Sequence, residues 1–383
     1  MPGNQHYMLL NNSISHTESP LNYPILGIIG CGNIGKRQAA NFLAHGYSVY
    51  VYDINPARMT QLHSLGAHIT QSCAELATHC EVIFTALPTP SDVIKAVLEG
   101  KQNLSQGLRP GSIYIDITTN SPETIYRLHK VMNLLGVEML DAPFNDCSEG
   151  ATSEAGMGLA VLASGSKKTF EQMQPILQLM ADQVLYCGEI GNGTRCKLIH
   201  NAVNAVAVQA VSEGITLGLA QDIPLQTIWD ALRFGSFGQN PGDIHGLPYY
   251  WFSRRCDHLS KHPAFTIKLL HKDLRIALDM AIERDISVPH LGLTVKDYEE
   301  AERRGWSPYA ATKVRSLQEE RAGVIAKASQ PLISSSNLST PPPTKASENS
   351  KNRFSLYSVL MLILVSNLFQ LGLQWLFHSH HLF

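Results

Sequence analysis

The 383-residue sequence has few charged residues, and its positive and negative charges nearly balance. It contains 30 lysines and arginines against 32 aspartates and glutamates, so the formal net charge is -2, and no basic run stands out. Proteins that bind nucleic acid carry basic patches, so the composition argues against a nucleic-acid partner. The apolar share of 44% permits a large buried core.

Patterned cysteines and a signal peptide are also missing. The seven cysteines contain no C-x-x-C pair, and histidines cluster only at His378, His380 and His381. Metal sites and disulfide frameworks need closely spaced or paired ligands, so we expect reduced thiols in the cytoplasm and no metal. Residues 1–23 lack a basic start, a long apolar core and a cleavage site, so they predict a flexible leader and not a secretory signal.

The strongest pattern that is present is a glycine turn. Three glycines at G-x-G-x-x-G spacing follow a predicted strand at residues 25–29: Gly30, Gly32 and Gly35. The first glycine lets the chain turn, the second admits a pyrophosphate close to the backbone, and the third lets helix and strand pack closely. Backbone N–H groups at the start of the next helix, predicted at residues 36–43, then face the phosphates, and we expect Asn33 and Ile34 in the turn to contact the cofactor. The turn therefore predicts dinucleotide binding.

A second predicted strand, at residues 48–52, ends on Asp53. From this position a carboxylate can accept hydrogen bonds from both ribose hydroxyls of a dinucleotide. Its charge would repel a 2′-phosphate, so NAD is favoured as the cofactor over NADP. Arg58 lies close enough in the sequence to weaken that preference, which keeps NADP as the alternative.

The alternation of strand and helix continues to about residue 190. Further strands are predicted at residues 67–69, 81–87, 112–116, 137–140 and 159–163. Helices between the strands predict an α/β fold with a parallel, doubly wound sheet of the Rossmann type. Ligands of such sheets bind at the carboxyl ends of the strands, so we expect one cleft surrounded by residues 87–88, 118–119 and 141–146.

From about residue 191 the pattern is helical only. Residues 194–220 carry apolar side chains at 3.6-residue spacing, which is typical of a long buried helix. Other helices are predicted at residues 225–233, 266–283, 292–304 and 308–321. We therefore expect a dinucleotide-binding domain at residues 24–190 and an all-α domain at residues 191–328.

The composition changes again after residue 328. Residues 329–353 are rich in serine, asparagine and proline and predict a disordered linker. Residues 354–377 carry no charge, and as a helix they would span about 36 Å, enough to cross a bilayer. They are a candidate C-terminal membrane anchor. Asn367, Gln370 and Gln374 share one helical face, which could instead join helices together or let the segment lie at a membrane interface. The plainer alternative is a tail packed on the protein itself.

Lys197 and Asn201 are candidates for catalysis. They lie four residues apart and project from one face of the long predicted helix. An ammonium group on a buried helix must be paired or face a cleft, where it can act as a general acid or base. Spacing alone favours a plainer interpretation, a lysine at a helix start that reaches water. The residues alone do not single out Lys272 and Asp273 either, because such pairs usually lie on a solvated face.

Six blocks of sequence, in order, resemble the β-hydroxyacid dehydrogenase family. They are Gly30-x-Gly32-x-x-Gly35, Leu87-Pro88-Thr89, Asp116-Ile117-Thr118-Thr119, Asp141-Ala142-Pro143, Gly191-x-Gly193-x-x-x-Lys197-x-x-x-Asn201 and Lys272-Asp273-Leu274. The resemblance implies an NAD(P)-dependent oxidoreductase that acts on a small hydroxy acid or semialdehyde in a cleft between its two domains. Family members usually form dimers or tetramers, so we expect a homo-oligomer.

The resemblance also implies roles for individual residues. Lys197 matches the catalytic lysine of the family, and Asn201 matches the asparagine that orients the substrate. Contacts with the cofactor are implied for Leu87, Pro88, Thr119 and Lys272.

One block departs from the family pattern. After Asp-Ala-Pro the family has an apolar residue and Ser-Gly-Gly, which holds the substrate carboxylate, whereas this chain has Phe144-Asn145-Asp146-Cys147. Asn145 can still donate a hydrogen bond, but Asp146 brings a negative charge to an anion site. At about 4 Å and an effective dielectric of about 20 the repulsion is roughly 4 kcal/mol before screening. We expect Asn145 and Asp146 to contact the substrate and the usual small 3-hydroxy acids to bind poorly.

The altered block and the apolar tail keep a second class of protein open. It is a non-catalytic, NAD(P)-binding sensor or scaffold tethered to a membrane.

Overall fold

The computed structural model of the chain describes residues 23–146, 159–234, 263 and 265–325. In these ranges nine strands form one sheet: β1 (Leu26–Ile29), β2 (Val49–Tyr52), β3 (His68–Ile69), β4 (Val82–Thr85), β5 (Ile113–Asp116), β6 (Glu138–Asp141), β7 (Phe144–Asp146), β8 (Leu159–Gly165) and β9 (Gln183–Tyr186). The strand order is β3-β2-β1-β4-β5-β6-β8-β7, and β9 pairs with β8. The first six strands in this order are parallel, which is the arrangement of a doubly wound dinucleotide-binding fold.

Helices cover both faces of this sheet. They are α1 (Asn33–Ala44), α2 (Thr60–Ser64), α3 (Cys73–His79), α4 (Pro90–Ile94, which continues into a π turn at Lys95–Glu99), α5 (Pro122–Leu134) and α6 (Lys167–Met180). One apolar core includes Phe42, Phe84 and Leu177, and a second includes Leu76 and Leu128. Strands β1, β4 and β5 are buried along their whole length because both of their faces are covered, which explains their continuous apolar sequences.

The last strands differ from the sequence prediction. β8 runs antiparallel to β6 and to β7, whereas the sequence predicted a parallel sheet. Residues 144–146, predicted to be a polar loop, form β7 and pair with residues 159–161 of β8. α6 and β9 were not predicted. A three-residue strand is too short to show an alternating pattern, and its partner β8 is distant in the sequence.

The second half of the described chain is helical. It contains α7 (Asn192–Leu219), α8 (Leu225–Phe234), α9 (Ile267–Ile282), α10 (Pro289–Arg303) and α11 (Arg315–Ala322), with a short 3-10 turn at Ala311–Val314. Leu198 of α7 packs in one apolar cluster with Leu274 of α9, Tyr298 of α10 and Leu317 of α11. β9 ends at Tyr186 and α7 begins at Asn192, beside the predicted domain boundary, which itself stays a prediction.

Among the described helices, α7 is the one long and apolar enough to cross a membrane by length and composition alone. Its residues Leu198, Ala205 and Val208 are buried inside the protein, whereas Ile199, Val203 and Leu217 are exposed. The predicted linker at residues 329–353, the candidate anchor at residues 354–377 and nearly all of the predicted leader lie outside the described residues.

Candidate active site

The glycine turn joins β1 to α1 at the carboxyl edge of the sheet. Gly30 has a φ of 95°, in the left-handed region that favours glycine, and a Cβ there would overlap the carbonyl oxygen of Ala86. A Cβ on Gly35 would overlap the carbonyl oxygen of Gly30, so α1 can pack this closely on the turn only with glycine at that position. A Cβ on Gly32 would meet no atom within 4 Å. Gly32 therefore leaves the open approach to the backbone that a pyrophosphate requires.

Asp53 follows the last residue of β2 and is 6% exposed. Its Oδ2 accepts a hydrogen bond from the N–H of Cys31 at 2.8 Å, and its Oδ1 accepts one from the N–H of Asn55 at 2.8 Å. Each carboxylate oxygen keeps a second lone pair, so Asp53 can still accept from a ribose hydroxyl. The guanidinium group of Arg58 lies 3.6 Å from Oδ2, which places a half-exposed cation beside the carboxylate.

One cleft, with a volume of about 1760 Å³, extends from the glycine turn to α7 and α9. Most of the residues that the sequence singled out line it: Gly30, Gly32, Asn33, Ile34, Asp53, Leu87, Pro88, Thr119, Lys197, Asn201 and Lys272. Gly35 lies behind the turn and contacts Gly30. The N–H of Leu87 donates to Oγ1 of Thr118 at 3.1 Å, which holds the ends of β4 and β5 together at the edge of the cleft.

The two predicted substrate residues, Asn145 and Asp146, follow Phe144 in the chain. Phe144 lines the cleft. Asn145 follows it on β7, where successive side chains point to opposite faces. Asn145 is not among the described lining residues, and its buried Oδ1 has no hydrogen-bond partner in the described structure. The Asp146 side chain and Cys147 lie outside the described part of the chain, so substrate contact by residues 145–146 stays a prediction.

A buried network connects α7 and α9 to the end of β5. Asn201 Nδ2 donates to Asp273 Oδ2 at 2.8 Å, and Lys272 Nζ lies 3.0 Å from Asp273 Oδ1. The same ammonium group donates to the carbonyl oxygen of Thr119 at 2.7 Å. Asp273 is 1% exposed, so burial raises the pKa of its carboxyl group, while Lys272 and Lys197 oppose that shift. The Asp273 carboxylate thus attracts both Lys197 and Lys272, and Lys272 in turn contacts Thr119.

Asp273 is the member of this network that the sequence prediction missed. A signal for it was present in the spacing of α9. Leu270, Leu274 and Ala277 form the buried face of the helix, and Asp273 lies within that face. A carboxylate at a core position needs a cationic or hydrogen-bonding partner, so its burial could have been inferred from the helical period.

The prediction for Asp141 was wrong. The sequence placed it at the edge of the cleft, but it is fully buried and does not line the described cleft. Its Oδ2 accepts from the N–H of Thr194 at 2.7 Å, and its Oδ1 accepts from the hydroxyl group of the same residue at 2.7 Å. Asp141 therefore holds the first turn of α7 against the end of β6.

Among the described residues no group of three or more potential ligands could hold a metal ion.

A doubly wound sheet with a glycine turn defines a dinucleotide-binding protein, and a lysine on a helix lines the same cleft as this turn. Two family models match the chain. Residues 25–188 match the NAD-binding domain of 6-phosphogluconate dehydrogenase, and residues 191–314 match a region described as NAD-binding of NADP-dependent 3-hydroxyisobutyrate dehydrogenase. The chain belongs to the β-hydroxyacid dehydrogenase family, as its motifs predicted.

Similar proteins span both parts of the described structure. The chain is 25% identical over 307 residues to 2-(hydroxymethyl)glutarate dehydrogenase of Eubacterium barkeri, covering 80% of this chain and 98% of the relative. It is 29% identical over 306 residues to 3-sulfolactaldehyde reductase of Escherichia coli, covering 79% and 98%. A structure of 3-hydroxyisobutyrate dehydrogenase from Mycobacterium tuberculosis with L-serine matches at a TM-score of 0.65 and 23% identity, covering 77% of this chain and 99% of that one. This structural likeness confirms the predicted fold, a Rossmann domain followed by helices.

Proposed function

We propose that this protein transfers a hydride between NAD(P) and a small hydroxy acid or semialdehyde, with Lys197 as the proton donor or acceptor. The observation that carries the proposal is that Lys197 and the glycine turn line the same cleft. The residues fit a dinucleotide, because the open backbone at Gly32 suits a pyrophosphate and the carboxylate of Asp53 suits a ribose. When bound, the nicotinamide supplies or accepts the hydride.

Lys197 handles the proton that accompanies the hydride. Oxidation of a hydroxyl group to a carbonyl group releases a proton from the substrate oxygen, and reduction requires one there. The amine of Lys197 can accept that proton and its ammonium form can return it. Asp273 offsets the positive charge of the lysine and holds Asn201, which in this proposal orients the substrate oxygen.

A fluorescence titration followed by an activity screen tests this function. The full-length protein is titrated with NADH and then assayed with hydroxy acids and semialdehydes, including 2-(hydroxymethyl)glutarate and 3-sulfolactaldehyde, for which two relatives are named. Turnover of at least one compound supports the proposal. NADH binding without any turnover favours the second candidate, a non-catalytic sensor or scaffold, which the departure at residues 145–147 also supports.

Arg58 is expected to set how well the protein tolerates NADPH. We propose that NAD is preferred because of Asp53, and that the cation 3.6 Å from this carboxylate reduces the repulsion of a 2′-phosphate. The change Arg58→Ala should weaken NADPH binding about two- to fivefold relative to NADH, the effect of one partly exposed charge pair. Dissociation constants for both cofactors, measured by fluorescence, give the ratio. An unchanged ratio would contradict this role, and Arg127→Ala on the exposed face of α5 is the matched control.

The substrate 3-hydroxyisobutyrate is expected to be turned over poorly. If Asp146 lies where the family binds a carboxylate, the repulsion after screening lowers kcat/KM by about 100-fold relative to the preferred substrate. The change Asp146→Gly should raise kcat/KM for this compound about tenfold or more, since it removes the charge. Steady-state kinetics on the natural sequence and on Asp146→Gly measure kcat/KM for this compound. Turnover by the natural sequence at rates ordinary for the family would refute the prediction.

We also propose a cytoplasmic homo-oligomer that residues 354–377 can anchor to a membrane. The uncharged composition of this segment supports the membrane anchor. The dimers and tetramers that are usual in the family support the homo-oligomer. Cell fractionation of the full chain, compared with a chain lacking residues 329–383, tests the anchor, and sedimentation of both tests the oligomer.

A further inference from the structure

His200 lies on the face of α7 that lines the cleft. Lys197, His200, Asn201 and Asn204 all line it, because residues three, four and seven apart share one side of a helix. His200 is exposed, and its Nδ1 lies 3.2 Å from Oδ1 of Asn201. The proposed chemistry uses Lys197 and Asn201 but gives His200 no task.

The hydrogen bonds of Asn201 determine which nitrogen of His200 carries a proton. Nδ2 of Asn201 donates to the buried carboxylate of Asp273 at 2.8 Å, so the other amide atom, Oδ1, is the one beside His200. An amide oxygen only accepts hydrogen bonds. Nδ1 of His200 must therefore be the donor, and in the neutral imidazole Nε2 is left as an acceptor.

We propose that His200 is a positioning residue that fixes the amide of Asn201. Its Nδ1–H holds the amide oxygen, and Asp273 holds the amide nitrogen from the buried side. Rotation that exchanges the oxygen and nitrogen of Asn201 would break both hydrogen bonds, so the same amide atoms face the substrate in every turnover. Groups that are fixed before the reaction contribute more to catalysis than groups that must reorganise. This inference rests on the proposed function in that Asn201 orients the substrate.

Three substitutions separate the two ring nitrogens. Asparagine places its amide nitrogen near the position of Nδ1, glutamine places its amide nitrogen near that of Nε2, and phenylalanine keeps the ring shape without a donor. We expect His200→Asn to keep kcat within about threefold of wild type, and His200→Gln and His200→Phe to lose about tenfold, as for one hydrogen bond. KM should change less than kcat, because orientation matters most in the transition state. Ile199→Ala, an exposed neighbour that does not line the described cleft, is the control.

A double-mutant cycle with Asn201→Ala shows whether His200 acts through Asn201. In that background His200→Phe should cost almost nothing more, because the residue that it positions is absent. The proposal is overturned if His200→Asn is as damaged as His200→Phe, or if the losses from His200→Phe and Asn201→Ala multiply.

A measurement without turnover keeps the inference separate from the proposed function. Long-range proton–nitrogen NMR spectra of the full chain report which nitrogen of the neutral His200 ring is protonated, and His200→Asn identifies its signals. We expect a proton on Nδ1 in the wild type and a shift in that tautomer in Asn201→Ala. Protonation on Nε2 in the wild type would overturn the inference. If the protein turns over no substrate, the proposed function fails. A proton on Nδ1 of His200 in that protein would still support the inference.

Discussion

Replacing Lys197 with alanine is expected to lower kcat/KM by about 10²- to 10⁴-fold, the range that general acid–base catalysis contributes. The reason is that Lys197 lines the cleft beside Asn201 and electrostatically interacts with the buried carboxylate of Asp273. Among the described residues that line the α7 side of this cleft, it is the one ammonium group. NADH binding should stay within about twofold of wild type, because the substitution leaves the glycine turn and Asp53 intact.

One further variant, Lys197→Arg, separates proton transfer from charge. Lys197→Arg keeps a cation in the cleft, but a guanidinium group does not lose its proton in proteins, so this variant should lose as much activity as Lys197→Ala. Lys130→Ala on the exposed face of α5 is the matched control and should behave like wild type. Steady-state kinetics together with NADH fluorescence titrations give both quantities. Undiminished turnover by Lys197→Ala would rule out the catalytic assignment.

Features that depend on neighbouring residues in the chain were predictable from the sequence. The glycine turn at Gly30 and the strands β1, β4 and β5 follow from short local patterns, because buried parallel strands read as continuous apolar runs. Lys197 was different, because a lysine near a helix start has no distinctive pattern. Only the order of the six matching blocks identified it, and the structure then placed it in the cleft.

Features that depend on distant partners were not predictable in the same way. Asn201 and Asp273 are 72 positions apart in the chain and meet because α7 packs on α9. The antiparallel pairing of β7 with β8 likewise joins residues with no common local pattern. The position of Asp141 at the end of a strand predicted a place in the cleft, but Asp141 is buried against the first turn of α7 and has a structural role there.

That role makes Asp141 a strong determinant of how stability depends on pH. Its carboxyl group is fully buried, so burial raises its pKa from 3.8 to about 7. The hydrogen bonds from Thr194 and Ser164 oppose this shift, and the charge of the nearby Asp116 adds to it. Asp116 is buried as well, and burial also raises the pKa of its carboxyl group. The two acids lie on adjacent strands, where Asp116 pairs with Asp141 in register.

The direction of the effect follows from the protons bound in each state. Between about pH 4 and pH 7 the folded protein holds a proton on Asp141 that the unfolded chain has released, so the free energy of unfolding falls as the pH rises through this range. A shift of one pKa unit corresponds to about 1.4 kcal/mol, so the loss from this group is on the order of 4 kcal/mol. Above about pH 7 the contribution is constant.

Asp141→Asn is therefore expected to flatten the dependence of stability on pH. Asparagine has the same shape and keeps an acceptor for Thr194, but it does not titrate. Relative to the wild type, the variant should gain about 2 to 3 kcal/mol of unfolding free energy between pH 5 and pH 8, whatever its stability at pH 5. Urea denaturation at several pH values measures this gain, with Asp279→Asn on the exposed side of α9 as the control. Equal slopes for the variant and the wild type would show that Asp141 does not titrate in this range. The ionised carboxylate of Asp141 is thus expected to destabilise the fold relative to its protonated form, because its hydrogen bonds do not fully offset the loss of solvation on burial.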